Sequence, residues 1–277
     1  MSSLLACGRF RLSLEQPLVM GIVNVTPDSF SDGGRHFDAA RAIDRARALA
    51  EEGADLLDIG GESSRPGAQP VSAAEELRRI LPVLGALAGG DVPLSVDTTK
   101  PKVMREAVAA GAALINDITA LTAPGALEAA AAGDAAVCLM HMQGEPRTMQ
   151  ADPRYGDVVG EVHAFLARRS RAAQDAGIAL ERIIVDPGFG FGKRLAHNLA
   201  LLRGLSRFSD LGACVLAGLS RKSMLGEITG RPVDRRQAAS LAAALLAARN
   251  GAKILRVHDV AATRDALAVW QAVAAED

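Results

Sequence analysis

Cysteine, aromatic residues and any surplus of one charge are all scarce in this chain. Three cysteines occur in 277 residues, Cys7, Cys138 and Cys214, with no CxxC spacing. That excludes a disulfide scaffold or a Cys-based zinc site and suits a reducing compartment. Lys plus Arg number 31 against 32 Asp plus Glu, and no basic run interrupts the balance, so neither nucleic acid nor an anionic membrane has an electrostatic footprint here. The first ten residues, MSSLLACGRF, lack a continuous apolar segment suited to a signal peptide, and Leu241 to Ala248 is far short of the ~20 residues that span a bilayer. A cytoplasmic location is the expectation.

What is present is a repeated alternation. Short apolar runs recur at Leu18 to Val25, Ala54 to Ile59, Pro93 to Asp97, Ala113 to Asp117, Ala135 to His141, Ile183 to Asp186, Ala213 to Leu219 and Ile254 to His258. Between them lie segments of helical spacing, among them Asp38 to Glu52, Ser72 to Ala88, Lys100 to Ala110, Asp157 to Ala176 and Arg235 to Asn250. Eight strand–helix units without a linker or a break in composition predict a closed α/β barrel, the (β/α)8 TIM barrel. Parallel strands need crossover helices, and closing the sheet removes its edges. Residues 1–277 read as one such domain, with 1–16 an N-terminal extension to the first strand. A doubly wound open sheet is the alternative, disfavoured because no GxGxxG follows the first strand.

In such a barrel the residues at the C-terminal strand ends converge on one mouth. The first strand runs into Asn24-Val25-Thr26-Pro27-Asp28-Ser29-Phe30-Ser31-Asp32-Gly33-Gly34, a polar, glycine-tipped loop. Asn24 can offer a carbonyl oxygen to a hard cation, although such a loop is also an ordinary Asx-rich turn. Asp97, Asn116, Asp186 and Lys222 each end a different strand where an apolar cavity would begin. Isolated carboxylates are costly there, so the set suits a flat, N–H-rich heterocycle such as an aminopyrimidinone edge. Helix capping is the competing role for Asp97 or Asp186 taken singly.

Arg256 and His258 alternate on the last strand, with Ser64, Arg65 and Asn24 expected opposite. Guanidinium, imidazole and hydroxyl together suit phosphate oxygens, and a cation held by one Asn and by substrate oxygens suits Mg2+ keeping most of its waters. An ion pair of Arg256 with Asp259 or another neighbour is the alternative. Asp186-Pro187-Gly188-Phe189-Gly190-Phe191-Gly192-Lys193 spends two of only seven Phe on one loop, and Phe191 can wall a second, aromatic substrate or pack beneath a tight turn. Met140 is expected on the pocket floor, and His141 as a satisfied strand-end histidine rather than a ligand.

Taken together, MGIVNVTPDSFSDGG, DIGGESSRPGA, SVDTTKP, INDI, LMHMQG, DPGFGFGK, GLSRKSM and RVHDV, in this order, resemble the dihydropteroate synthase family of pterin-binding barrels. Ser64 stands where many members have Thr, and Ala239-Ser240 where Gly-Ser is common. The resemblance implies condensation of 6-hydroxymethyl-7,8-dihydropterin diphosphate with 4-aminobenzoate, giving 7,8-dihydropteroate and pyrophosphate. It implies a pterin site at Asp97, Asn116, Asp186 and Lys222. It further implies a diphosphate site at Ser64, Arg256 and His258, Mg2+ on Asn24, and an aminobenzoate site, where sulfonamides compete, around Arg65, Pro66, Phe191 and Ser223; Val257 is also expected among the substrate-binding residues. Catalytic contributions are expected from Asp97, Lys222, Arg256 and His258, with Asp32 orienting the amine. A homodimer acting on small molecules alone is implied as well. A corrinoid-linked methyltetrahydrofolate methyltransferase and a silent pterin-binding homologue are the rival readings, and neither would release pyrophosphate when given aminobenzoate.

Overall fold

Strict alternation inside the apolar runs separates two cores. In the computed structural model, which describes residues 4–25, 35–63, 69–211 and 214–274, eight parallel strands close into a barrel in the order β10-β3-β4-β5-β6-β7-β8-β9. These are β3 (Leu18–Asn24), β4 (Leu56–Gly60), β5 (Leu94–Asp97), β6 (Leu114–Asp117), β7 (Ala136–Met140), β8 (Ile183–Asp186), β9 (Cys214–Ala217) and β10 (Ile254–Val257). The eight predicted strands all form, with ends displaced by at most two residues and β8 matching at both ends.

One parity of strand residues, including Val23, Ile59, Val96, Ile115, Leu139, Val185, Ala217 and Val257, packs outward against the helices. The surrounding helices are α1 (Arg35–Glu51), α2 (Ala73–Leu87), α3 (Pro101–Ala109), α4 (Ala126–Ala131), α5 (Val158–Asp175), α6 (Leu195–Arg203), α7 (Ser223–Thr229), α8 (Gln237–Arg249) and α9 (Val260–Ala274). Among the described residues no helix is long and apolar enough to cross a membrane.

The other parity fills the barrel. Met20, Leu56, Leu114, Ala136, Cys138, Ile184, Cys214, Leu216 and Ile254 form its lower layer. The N-terminal extension is itself structured: β1 (Leu4–Cys7) and β2 (Phe10–Ser13) pair antiparallel as a hairpin. Leu5, Cys7 and Leu14 of this segment join the lower layer and close the barrel's base. All three thiols are free and buried. Burial pushes Cys7 and Cys214 up to about 12 and raises Cys138 as well, so none is a ready nucleophile.

Candidate active site

Going up the barrel on the inward parity, apolar side chains give way to polar ones within two residues: Leu56 to Asp58, Leu114 to Asn116, Ile184 to Asp186, Ile254 to Arg256 and His258. The change occurs at the level where Asp97 pairs with Asn116 in register, and Met140 with Asp186. A cavity of about 740 Å³ opens there, lined by Asn24, Asp97, Asn116, Met140, Asp186, Phe191, Lys222, Ser223, Arg256 and His258 among others. Residues separated by up to 234 positions thus share one cup.

At the floor of the cup lies a carboxylate that the sequence reading did not single out. Asp58 is fully buried. Its Oδ1 accepts from Ser95 Oγ at 2.5 Å, and its Oδ2 accepts from Asn116 Nδ2 at 3.0 Å and from Arg256 Nε at 2.6 Å. Arg256 NH2 donates to Asp97 Oδ2 at 3.0 Å. Burial works against the Arg256 charge, but Asp58 and Asp97 outweigh it and hold its pKa above the usual guanidinium value. Asp97 and Asp186 are both raised above the ordinary carboxylate range, chiefly by burial. Arg256 opposes the rise at Asp97, and the Gly188 N–H and Lys222 oppose it at Asp186. Burial pushes Lys222 down to about 8, against the pull of Asp186. The floor is therefore an ordered set of acceptors and donors whose charges nearly balance.

Neither carboxylate is a helix cap. Helix α3 starts at Pro101 after Lys100, which makes no side-chain cap, while Asp186 Oδ1 accepts from Gly188 N at 2.7 Å inside its own turn. Lys100 instead bridges Glu62, at the cup wall, and Glu76, which is fully buried and 2.5 Å away.

The loop after β8 lies directly on the segment after β7. Gly188 and Gly192 have φ of +69° and +62°. A Cβ at Gly188 would overlap the carbonyl oxygen of His141, and one at Gly192 that of Gln143. These glycines thus permit a close approach of two protein loops. Phe189 is buried beneath the turn. Phe191 faces the cup, with Lys222 Nζ 4.0 Å from its ring centroid. Lys193, at the end of the motif, is 3% exposed and sits against His141, with Nζ 3.0 Å from Nδ1. The expectation that His141 is a satisfied strand-end residue agrees with that contact.

At the rim, Ser220 Oγ lies 3.0 Å from His258 Nδ1 and fixes the ring. Arg221, with φ of +59°, pairs with Asp259 at 2.7 Å. Asp259 is therefore not the partner of Arg256, whose two carboxylate partners lie inside the barrel. Arg256 Nε and NH2 are thus engaged at the floor.

Val257, expected among the substrate-binding residues, does not line the cup. It is 5% exposed and packs outward in the strand–helix core, because strand parity that turns Arg256 and His258 inward must turn Val257 away. Asp32, Ser64, Arg65 and Pro66 lie outside the described residues. Ser63, immediately before them, lines the cup, as do Met149 and Gln150, which the sequence reading also missed. Asp58 could have been found, because an aspartate inside Leu56-Leu57-Asp58-Ile59 interrupts a buried strand. Met149 and Gln150 carry no comparable signal.

Comparison with known proteins agrees with this geometry. Residues 20–258 match the family described as pterin binding enzyme. The dihydropteroate synthase of Haemophilus influenzae is 54% identical over 264 residues, covering 95% of this chain and 96% of its own. The structure of Xanthomonas albilineans dihydropteroate synthase with 4-aminobenzoic acid is 58% identical, covers 100% of both chains and superposes with a TM-score of 0.94. The same organism's enzyme in complex with 7,8-dihydropteroate gives 53% identity, 100% of both chains and a TM-score of 0.89. With its polar cup on a closed eight-stranded barrel, the chain belongs to the pterin binding enzyme family and, within it, to the dihydropteroate synthases.

Proposed function

We propose that this chain, as a dihydropteroate synthase, joins 6-hydroxymethyl-7,8-dihydropterin diphosphate to 4-aminobenzoate through a leaving-group-first substitution governed by electrostatics. The observation that carries this reading is the floor network of Asp58, Asp97, Asn116 and Arg256, with Asp186 and Lys222 in the same cup. Its acceptors suit the N–H-rich edge of a pterin, and its buried carboxylates favour positive charge on that ring.

The bond to break is the C–O bond between the pterin methylene and the diphosphate. An electron-rich dihydropterin ring can carry the positive charge left on the methylene, so departure precedes attack. Asp97 and Asp186 stabilise that cation, and His258, held by Ser220, donates to the departing diphosphate oxygens. Arg256 keeps Asp58 and Asp97 in place and adds positive charge on the diphosphate's side of the floor. By the family resemblance, Ser64 binds the diphosphate and Arg65 the aminobenzoate. The arylamine then attacks the methylene and releases its proton. It is a weak base, so positioning by Phe191, Ser223 and Pro66, and orientation by Asp32, matter more than a strong general base.

Asn24 lines the cup from the end of β3. Among the described residues no group of three or more His, Cys, Asp or Glu could hold a metal ion. One amide oxygen with substrate oxygens and water is a donor set that fits Mg2+. When bound, Mg2+ would add charge neutralisation on the diphosphate. Exposed Leu246 on α8, with Val269 and Val273 on α9, supports a homodimer, and three buried free thiols support a reducing cytoplasm.

The test is pyrophosphate release with and without 4-aminobenzoate. Aminobenzoate-dependent release with 7,8-dihydropteroate as product is expected. No release would favour a silent homologue or a methyltransferase. Asp97→Asn is expected to lower kcat by about 10²-fold or more, and intact turnover in that variant would remove the cation-stabilising role.

A further inference from the structure

The most deeply buried cation described is one the proposed chemistry does not use. Lys193, 3% exposed, donates to the carbonyl oxygens of Gly188 at 2.9 Å, Phe191 at 3.0 Å and His141 at 3.3 Å, and its Nζ lies 3.0 Å from His141 Nδ1. Among the described residues it forms no ion pair. Its charge is compensated by these carbonyl dipoles and the imidazole, all from the end of β7 or the loop after β8, and is favoured through space by the Asp186 carboxylate. Burial pushes His141 down to about 3, so the ring is neutral and its Nδ1 accepts. The ring is fixed in turn by an edge contact with Phe165 at 5.0 Å and a tilted one with Tyr155 at 6.1 Å. Tyr155 OH closes the circuit by donating to Gly192 O at 2.9 Å. The loop is therefore tied down from behind, on both sides of the residue that faces the cup, Phe191.

We propose that Lys193 is a positioning residue which, through the carbonyls of Gly188 and Phe191, sets the Phe191 ring and with it the seat of the arylamine, while touching neither substrate. The inference rests on the reading of the cup as a dihydropteroate synthase site. A lysine suits the task because its three N–H groups on a slim stem can serve acceptors converging from different directions, which a planar guanidinium cannot. The pterin floor rests mainly on strand positions and on Asp58, and is linked to this loop through the Gly188 N–H on Asp186 and the Lys193 charge, so it should respond to the tie less than the arylamine seat does. A displaced ring would act on the arylamine alone.

The experiment is steady-state kinetics of the full-length chain and of Lys193→Met, varying each substrate separately, with thermal melts of both. In Lys193→Met the KM for 4-aminobenzoate is expected to rise by about tenfold or more, with the KM for the pterin diphosphate within about twofold. An unchanged aminobenzoate KM in folded Lys193→Met overturns the proposal. So does an equal rise of both KM values alongside a lower Tm, which marks a merely structural lysine. If Lys193→Met does not fold, Lys193→Gln keeps two donors and is expected to show the same selective rise at smaller size. Failure of both variants to fold also overturns the positioning role. Absence of dihydropteroate from the unsubstituted chain would instead refute the functional reading, and the positioning role with it.

Discussion

Arg256 Nε donates to Asp58 Oδ2 at 2.6 Å, joining β10 to β4 across the interior of the barrel, 198 residues apart in sequence. Both groups lie where apolar filling gives way to the cup, so each is the other's main source of charge compensation. Removing one partner of a buried pair leaves an uncompensated charge. Asp58→Ala is expected to lower unfolding free energy by about 3–5 kcal/mol, measured by urea titration. Asp58→Asn, which keeps an acceptor for Ser95, should cost less. Equal stability of Asp58→Ala and the unsubstituted chain would show that the pair contributes nothing to folding.

Gly188 tests the contact between the two loops. Its left-handed backbone alone should cost an alanine about 1–3 kcal/mol, and the overlap of Cβ with the His141 carbonyl adds to that. Gly188→Ala is expected to melt earlier and to lose affinity for 4-aminobenzoate. A variant with an unaltered melt would mean that the loops separate easily.

Leu5 tests the base of the barrel. It is 1% exposed within the lower core layer, on a hairpin far from the cup. Leu5→Ala should cost about 2–5 kcal/mol, while kcat per folded molecule stays unchanged. Comparing denaturation midpoints with active-site-normalised turnover checks both halves of that expectation.

Lys193 gives a pH signature. Burial pushes its ammonium down to about 7 in the folded chain, against about 10.4 in an unfolded one. Between these values the unfolded chain binds a proton that the folded chain lacks, so this residue makes stability rise as pH rises through the window. The quantity to measure is the difference in unfolding free energy between the unsubstituted chain and Lys193→Met, at about pH 6 and about pH 9.5. The difference should shift in favour of the unsubstituted chain at the higher pH, and a constant difference would mean that the buried ammonium keeps its ordinary affinity for protons.

Much of the architecture was legible because burial imposes periodicity. The run Ile183-Ile184-Val185-Asp186 announces both a buried strand and its polar end, and eight such runs separated by helices leave few topologies open. The extension before Leu18 was legible only as an extension. FRLS and LLAC are too short to reveal a hairpin, and what stabilises them is the barrel floor they cover. Val257 shows how a family pattern can mislead where parity does not, since His258 and Arg256 on one face require Val257 on the other.

The sequence by itself determined the number of barrel strands, the helical spacers and the identity of the polar strand ends, because period-two and period-3.6 patterning are local properties of the chain. Only the tertiary structure decided who partners whom. Asp58 rather than Asp259 holds Arg256, His141 serves Lys193, and the glycines after β8 make room for a neighbouring loop. Charge compensation and close packing act through space, between residues that become neighbours only once the sheet has closed.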